Sequence, residues 1–248
     1  MVFNTKDSFK IMRLFYHSLF ILFLIFLISC KNESPSISKQ SQESVPVKTK
    51  VKRNSKKASK NLKKESDTID SKNAIDFLIQ YGELNKETKV LLKTRLGNIT
   101  IKLYENTELH RANFIFLTKV GYFDTTCFYR VVPNFIIQGG NSENMSTQVI
   151  RTKYRHYRVP AELHNNNKHK YGAVAAARDW EKNPAKKSTP FEFYIVQNKK
   201  GAHHIDGEHT VFGEVTSGFS VIDKIANLKA GGDEWPLNDV FIKAEVID

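Results

Sequence analysis

Cysteine is scarce in this chain, which has two cysteines among 248 residues, Cys30 and Cys127. Two cysteines cannot form the framework of several disulfides that defines small disulfide-rich domains. Cys127 lies in an apolar stretch and has no neighbour that would mark it as a nucleophile. Because buried free cysteine usually behaves as a small hydrophobe, we assign Cys127 to packing.

The sequence also lacks a recognisable metal or phosphate site. Five histidines have no carboxylate or cysteine at a usual ligand spacing beside them: His164, His169, His203, His204 and His209. Adjacent histidines on an extended chain point to opposite faces, which further disfavours a shared metal. Gly139 and Gly140 are followed by neither a lysine nor a helix start, as a phosphate-binding loop requires. We therefore expect no metal and no cofactor.

Aromatic residues are absent from residues 31–70, which are rich in Ser, Lys and Asn. The scattered Val and Ile there have no period, so a solvated linker is predicted. Eleven Lys and Arg against five Asp and Glu give this segment a net +6 of the chain's +12. Such charge can attract nucleic acid or an anionic surface, but without aromatic residues for base stacking we expect no nucleic-acid partner. Residues 30–70 are interpreted as a self-repelling tether.

An apolar run near the N-terminus predicts export. Residues 14–28 are almost uninterrupted apolar sequence and follow three basic residues. This length suits a signal-peptide core and is short for a membrane span of about 20 residues. Residues 27–30 (L-I-S-C) resemble the bacterial lipobox, in which the cysteine, here Cys30, becomes the lipidated first residue of the mature protein. Lipid on Cys30 would leave Cys127 without a partner for a disulfide within the chain. The alternative is an uncleaved signal anchor, and both place the globular part outside the cytoplasm.

Periodicity predicts a mainly β domain with few helices. Ile75, Leu78 and Ile79 are spaced for one face of a short helix, and further helices are predicted at residues 107–120 and from Ser220. Strands are predicted at residues 90–93, 99–104, 127–132, 135–138, 173–177, 193–196, 210–214 and 240–246. Turn signals between these short strands favour a closed all-β domain with helical plugs. Residues 141–171 are too polar and irregular for a strand prediction.

Residues 128–140, F-Y-R-V-V-P-N-F-I-I-Q-G-G, are the most informative stretch. With a period of two, Phe128, Arg130 and Val132 share one face of a strand. A guanidinium among apolar neighbours is costly unless it is paired or used. The alternative is an edge-strand arginine whose stem covers apolar surface while its head stays in water.

This stretch resembles the signature of the cyclophilin-type peptidyl-prolyl isomerases. Matching segments follow in the family's order: residues 172–178 (G-A-V-A-A-A-R), 193–196 (F-Y-I-V) and 205–213 (I-D-G-E-H-T-V-F-G). The resemblance implies a mainly β fold over residues 89–248, an eight-stranded antiparallel barrel capped by two helices. A docking helix (71–88), the tether (30–70) and a lipoprotein signal peptide (1–29) would precede it. The implied partners are proline-containing polypeptides, and a monomer tethered to a membrane by a lipid anchor is expected.

The resemblance also implies a role for each matched residue. Arg130 would donate a hydrogen bond toward the prolyl nitrogen, whose lone pair is free only when the amide is twisted. Apolar lining of the proline pocket is implied for Phe135, Ile136, Tyr194 and Ile205. Contact with the substrate backbone is implied for Gln138 and for the backbone around Ala177 and Arg178, and His209 matches the histidine at the pocket edge.

Three positions depart from the family's pattern. Ile136 replaces a common methionine of similar volume, which should matter little. His204 stands where tryptophan is frequent on the rim, so weaker cyclosporin binding is expected. Glu192 stands where a glutamine usually helps to orient the arginine, and a carboxylate there could grip Arg130, either preorganising it or holding it away from substrate.

Two functions follow from these residues. One is an active prolyl isomerase, tethered to a bacterial membrane, that assists the folding of exported proteins. The other is a catalytically weak cyclophilin-like module that binds proline-containing segments, with Glu192 quenching the arginine. The joint presence of Arg130, Phe135, Gln138 and His209 favours the enzyme.

Overall fold

A computed structural model of the protein describes residues 69–247. The predicted signal peptide, Cys30 and the tether up to residue 68 lie outside the described residues. Among residues 69–247, the helices are too short or too polar to cross a membrane.

Eight antiparallel strands form one sheet in the described part of the chain. Their bounds are β1 Lys89–Thr94, β2 Gly97–Leu103, β3 Cys127–Val132, β4 Ile136–Asn141, β5 Ala173–Ala176, β6 Phe193–Val196, β7 Val211–Ser217 and β8 Lys243–Ile247. The order across the sheet is β3-β4-β6-β5-β7-β2-β1-β8, and every pairing is antiparallel. The predicted eight-stranded antiparallel architecture is therefore confirmed.

The sheet curls so that its edge strand β3 meets the segment that precedes β8. The Phe128 N–H donates to the Val240 carbonyl at 3.0 Å, and the Ile242 N–H donates to the Thr126 carbonyl at 2.8 Å. Cys127 also forms an isolated bridge with Phe241. These bonds cover the edge of β3, which would otherwise present unpaired backbone groups to other chains.

Four α-helices accompany the sheet within residues 69–247: α1 Ala74–Leu84, α2 Glu108–Lys119, α3 Met145–Tyr154 and α4 Phe219–Ala226. Helices α2 and α4 lie where capping helices are predicted, and α1 lies in the predicted docking segment. Helix α3 was not expected from the sequence. Only Thr147 and Tyr154 of α3 are buried, so the helix lacks the apolar period from which helices are recognised.

Helix α1 packs against α2. The rings of Phe77 and Tyr81 meet that of Phe116 edge-on at 5.1 and 5.4 Å. Arg111 of α2 donates to the carbonyls of Gly82 and Asn85 at the end of α1. Because the last carbonyls of a helix have no partner within it, this arginine satisfies the end of α1 and fixes it to the domain.

Two apolar clusters lie on opposite faces of the sheet, since side chains along a strand alternate between faces. The larger cluster contains the inward residues of the strands together with apolar residues of α1, α2 and α4. The smaller cluster lies on the other face of β4, β5, β6 and β7, and its buried members are Ile136, Ala173, Ala175, Tyr194, Val196, Ala202 and Val211. This smaller cluster forms the floor of the candidate site.

Candidate active site

The site is built on a row of side chains across five neighbouring strands. Directly paired positions on β3, β4, β6, β5 and β7 form this row: Arg130, Gln138, Tyr194, Ala175 and Val211. Residues directly opposite each other on antiparallel strands share a face and contact one another. The row therefore places a cation and an amide beside the smaller apolar cluster.

A bulge in β3 decides which residues of that strand face the site. The register between β3 and β4 shifts on both sides of Phe128, and a bulge of this kind re-aims the side chains that flank it. Phe128 is fully buried in the larger core, whereas Val132 packs against the smaller cluster. The expectation that Phe128 shares a face with Arg130 and Val132 is wrong, because strict alternation does not survive an extra residue.

The four residues implied to line a proline pocket come together in the structure. Ile136 and Tyr194 are buried members of the smaller cluster, and Phe135 and Ile205 are partly buried against it. The rings of Phe135 and His204 lie 5.5 Å apart, and His204 is exposed at the rim. The result is an apolar floor with partly open walls, which suits a small apolar ring.

His209 lies at one edge of this floor. Its ring meets that of Tyr194 edge-on at 5.5 Å, and its Nδ1 lies 3.1 Å from the Ala176 carbonyl oxygen. Burial lowers the pKa of His209 to about 4, so the ring is neutral at neutral pH. A neutral ring that donates from Nδ1 to a carbonyl keeps Nε2 as a hydrogen-bond acceptor.

The buried histidine His169 holds the aromatic wall of the pocket, Tyr194, in place. In the sequence it stood out only as a candidate metal ligand. His169 is fully buried, with Nδ1 2.9 Å from Asp206 Oδ1 and Nε2 2.9 Å from the Tyr194 hydroxyl. Although partial burial opposes ionisation, hydrogen bonds from His169 and His203 hold the pKa of Asp206 at about 2. The Asp206 carboxylate thus orients His169, which in turn orients the ring of Tyr194.

The catalytic candidate Arg130 is paired with a residue that the sequence did not suggest. Its Nε donates to Glu234 Oε2 at 2.5 Å, and the two side chains are 34% and 43% exposed. The two terminal nitrogens of Arg130, Nη1 and Nη2, have no hydrogen-bond partner within residues 69–247. Glu234 is 104 residues away in sequence, and no local signal connects the two.

Glu192 takes a different partner from the one considered. Its Oε1 accepts a hydrogen bond from Arg151 Nη1 at 2.8 Å, and the guanidinium of Arg151 lies 4.9 Å over the ring of Phe191. The hypothesis that Glu192 grips Arg130 is therefore wrong in this structure. The physical reason is that α3, which the sequence did not reveal, brings a second arginine to this carboxylate.

Gln138 is held by its neighbour on β3. Its Nε2 donates to the hydroxyl of Tyr129, whose ring lies 5.5 Å from that of Trp235. The side-chain carbonyl of Gln138 accepts no hydrogen bond from any of residues 69–247. Gln138 can therefore offer this oxygen to a backbone N–H of a bound peptide.

The backbone groups implied to hold substrate differ in their availability. The Ala177 N–H donates to the Glu192 carbonyl at 3.0 Å, and the Ala177 carbonyl accepts from Thr189 N–H at 2.9 Å. The backbone N–H and carbonyl of Arg178, in contrast, have no partner in the described part of the chain. Arg178 is therefore the residue that can offer backbone hydrogen bonds, and the Ala177 backbone groups implied for this purpose are already used.

The side chain of Arg178 is buried in a rigid corner of the rim. It donates to the carbonyl and the carboxylate of Glu208, at 2.8 and 2.9 Å, and lies 4.1 Å from the ring centre of Trp180. Trp180 is 62% exposed and meets His209 edge-on at 5.1 Å. The chain has a histidine, His204, where the family often has tryptophan, but Trp180 supplies an indole beside His209.

Taken together, these contacts can hold a small apolar ring, bond the backbone on either side of it and donate hydrogen bonds from a cation. Within residues 69–247, no group of three or more His, Cys, Asp or Glu side chains has the geometry of a metal site. The arrangement pairs no nucleophile with a base. It is suited to a reaction in which no covalent bond is broken.

Comparison with known proteins agrees with this description. The sequence model of the family "Cyclophilin type peptidyl-prolyl cis-trans isomerase/CLD" matches residues 89–246. A peptidyl-prolyl cis-trans isomerase of Acinetobacter baylyi is 36% identical over 144 residues, which cover 57% of this chain and 73% of that protein. A Streptococcus pyogenes protein, whose name pairs a phosphatase with a peptidyl-prolyl cis-trans isomerase, is 31% identical over 209 residues; the match covers 70% of this chain but 43% of that protein.

Solved structures show the same fold. A cyclophilin type peptidyl-prolyl cis-trans isomerase of Cryptosporidium parvum matches with a TM-score of 0.55 and 21% identity, covering 65% of this chain and 98% of that one. The same protein crystallised in the presence of the dipeptide Ala-Pro matches with a TM-score of 0.53. At this identity the likeness concerns the fold.

Proposed function

Since this chain belongs to the cyclophilin-type peptidyl-prolyl cis-trans isomerase family, we propose that it is a membrane-tethered isomerase that assists the folding of exported proteins. The observation that carries the proposal is the position of Arg130, whose free Nη groups lie beside the apolar cluster formed by Ile136 and Tyr194. The match covers 43% of the longer streptococcal relative, so that protein's overall activity is not transferred to this chain. The proposed activity depends on the residues of this site.

The reaction needs positioning and one well-placed donor. Amide resonance produces a barrier of about 18–20 kcal/mol to rotation about the X-Pro bond. A catalyst must therefore bind the twisted amide better than either planar form. The apolar floor holds the prolyl ring while Arg130 donates to the prolyl nitrogen, whose lone pair becomes available only on twisting.

The remaining site residues hold the peptide while the bond rotates. The Arg178 backbone and the carbonyl of Gln138 bond the substrate's backbone, so that one side of the X-Pro bond is fixed. Neutral His209 closes the pocket edge without placing a second positive charge near Arg130. The Cryptosporidium parvum protein was crystallised with Ala-Pro, a ligand of the class proposed here.

The competing function, a binding module with a quenched arginine, loses its main support. It rests on Glu192 competing with substrate for Arg130, and Glu192 is bonded to Arg151 instead. Glu234 engages only the Nε atom of Arg130 and leaves the Nη groups to substrate. The isomerase is therefore the better-supported function.

The location is proposed from the N-terminal sequence. Residues 14–28 and the L-I-S-C junction support a lipid on Cys30, and the basic residues 31–70 would join that anchor to the domain. A domain tethered outside the cytoplasm meets exported polypeptides before they fold. We infer that unfolded segments with exposed X-Pro bonds are its substrates.

A proline-isomerisation assay on the purified chain tests the proposal. Removal of one preorganised donor costs about 10²- to 10³-fold in rate, so Arg130→Ala should lose most of the wild-type kcat/KM while staying folded. Arg155→Ala, which removes an exposed arginine after α3, is the matched control and should keep full activity. If Arg130→Ala keeps more than about a third of kcat/KM, Arg130 is not the donor described here.

A further inference from the structure

We propose that Glu234 is a positioning residue that aims the guanidinium of Arg130 at the prolyl nitrogen. The inference rests on the proposed isomerase function and deepens it. Glu234 lies in the loop between α4 and β8, far from the sequence blocks that carry the family resemblance. Within residues 69–247, the hydrogen bond and ion pair of the Glu234 side chain are both with Arg130.

The geometry of the contact indicates that Glu234 orients the guanidinium of Arg130 and does not block it from substrate. A guanidinium is planar and rigid, so a carboxylate bonded at Nε restricts the plane of the whole group. Glu234 Oε2 occupies Nε at 2.5 Å and leaves both Nη groups without a partner among residues 69–247. A quenching carboxylate would instead occupy the Nη atoms that substrate needs. The half-exposed surroundings also screen the ion pair and weaken its competition with substrate.

Backbone hydrogen bonds close the loop that carries Glu234 and join it to β3. The Glu234 N–H donates to the Gly231 carbonyl at 3.1 Å, and the Glu234 carbonyl accepts from Val131 N–H at 2.9 Å. The Gly231 N–H also donates to the Trp235 carbonyl at 2.8 Å, which closes the turn. Because Val131 follows Arg130 directly on β3, this bond joins the loop to the strand next to the arginine.

The backbone of Glu234 adopts a conformation that glycine would occupy more easily. Its φ is +65°, in the left-handed region that residues other than Gly, Asn and Asp seldom adopt. Backbone strain of this kind persists only where surrounding structure holds it, and it clusters at functional sites. At this strained position the chain carries a glutamate whose side chain is bonded to Arg130.

The next residue in the loop, Trp235, packs against the tyrosine that holds Gln138. Trp235 lies 5.5 Å from the ring of Tyr129, and Tyr129 accepts the hydrogen bond of Gln138. The Trp235 Nε1 donates to Asp239 Oδ1 at 2.9 Å, which fixes the indole. One loop therefore contacts Arg130 directly through Glu234 and Gln138 indirectly through Trp235 and Tyr129.

The test compares kcat and KM of the full-length wild-type chain with those of two substitutions of Glu234. Glu234→Gln keeps the reach and an acceptor oxygen, so it should stay within about threefold of wild type in kcat. Glu234→Asp keeps the charge and suits the positive φ, but it is one methylene too short to reach Nε. Since misplacement of a catalytic group by about 1 Å can cost up to 10²-fold, Glu234→Asp should lose about tenfold in kcat with little change in KM.

A double-substitution cycle separates positioning from a general structural effect. If Glu234 acts through Arg130, adding Glu234→Asp to Arg130→Ala should cause no further loss, because residues that act as one unit are not additive. Glu245→Gln, at an exposed pair with Lys93, is the matched control and should leave kcat unchanged. Thermal unfolding of each variant checks that it is folded.

Each remaining outcome overturns the inference. Wild-type activity in Glu234→Asp would show that Arg130 needs no aiming, and an additive loss in the Arg130→Ala background would show that Glu234 acts elsewhere. A tenfold rise in kcat in either Glu234 variant would identify a quenching carboxylate. An inactive, folded wild type would overturn the proposed function itself, together with the inference that depends on it.

Discussion

The Glu192 carboxylate, directly before β6, joins this strand to helix α3. Its partner Arg151 belongs to α3, and the Arg151 guanidinium also covers the ring of Phe191. The two charged side chains are 15% and 25% exposed, so they are partly shielded from water. Glu192 therefore holds α3 against the domain, whereas the orientation of Arg130 depends on Glu234.

We expect Glu192→Gln to affect stability rather than catalysis. The substitution keeps an acceptor for Arg151 but removes the charge, so it should lower the free energy of unfolding by about 1 kcal/mol. The kcat/KM on a proline peptide should stay within about twofold of wild type, since the pair acts away from Arg130. Urea denaturation and the isomerase assay measure the two effects. A tenfold rise in kcat/KM would contradict this division of roles.

Among the elements, helix α2 depends on a distant residue for its start. Its N-cap Thr107 makes no side-chain capping bond. Glu162 takes that role: its two oxygens accept the N–H groups of Leu109 and His110 at 3.0 and 2.9 Å. A carboxylate at a helix N-terminus also interacts favourably with the helix dipole. The segment between α3 and β5 thus caps α2 through Glu162.

Acidification should remove this cap. Although burial opposes ionisation, hydrogen bonds from His110 hold the pKa of Glu162 below its usual value. A carboxyl group with a lowered folded-state pKa contributes stability that is present above its unfolded pKa of about 4.3. This stability is lost as pH falls through the lower, folded pKa.

We expect Glu162→Gln to lower the free energy of unfolding by about 1–3 kcal/mol at pH 7, because a charged hydrogen-bond network is lost. Below about pH 4.3 the difference from wild type should shrink, since the carboxyl is protonated first in the unfolded chain and then, at its lower pKa, in the folded one. Urea denaturation at neutral and acidic pH measures the loss of stability at pH 7 and its decrease at low pH. Glu108→Gln, at the exposed first residue of α2, is the control. A difference that does not change with pH would rule out the ionised cap.

At the scale of the whole molecule, the chain combines three segments of different composition. An apolar run precedes a basic segment without aromatic residues, and the isomerase-family domain follows from residue 89. This order is the basis of the proposal that a lipid anchor tethers the domain to a membrane. The proposal makes the anchor depend on one residue, Cys30.

Replacement of Cys30 tests the anchor. Cys30→Ala should abolish lipid attachment and signal-peptide maturation, because the sulfur that would carry the lipid is absent. Mass spectrometry of the N-terminal peptide and membrane fractionation measure the two effects. Cys127→Ala should leave both unchanged, since Cys127 is buried in the domain. Mature, membrane-bound protein without lipid on Cys30 would contradict the anchor and favour another mode of attachment.

The sequence by itself determined the strands through their local pattern, and its family resemblance implied the antiparallel architecture and the composition of the apolar pocket. Strand alternation and turn residues act over a few positions, so they can be read locally. Phe135, Ile136, Tyr194 and Ile205 carry the family resemblance and meet in one cluster. Local period was less informative for α1. Leu78 is buried as predicted, but Ile75 and Ile79 are each 45% exposed, and Ala74 and Phe77 are buried in their place.

Only the tertiary structure decided how the polar groups of the site are paired. Arg130 meets Glu234, Glu192 meets Arg151, and His169 joins Asp206 to Tyr194 across gaps of 25 to 104 residues. A side chain's partner depends on strand order, on the bulge in β3 and on loop conformation. None of these is encoded in a local repeat. Apolar burial is non-directional and follows from composition and period, whereas a hydrogen bond requires two atoms at a defined distance and angle.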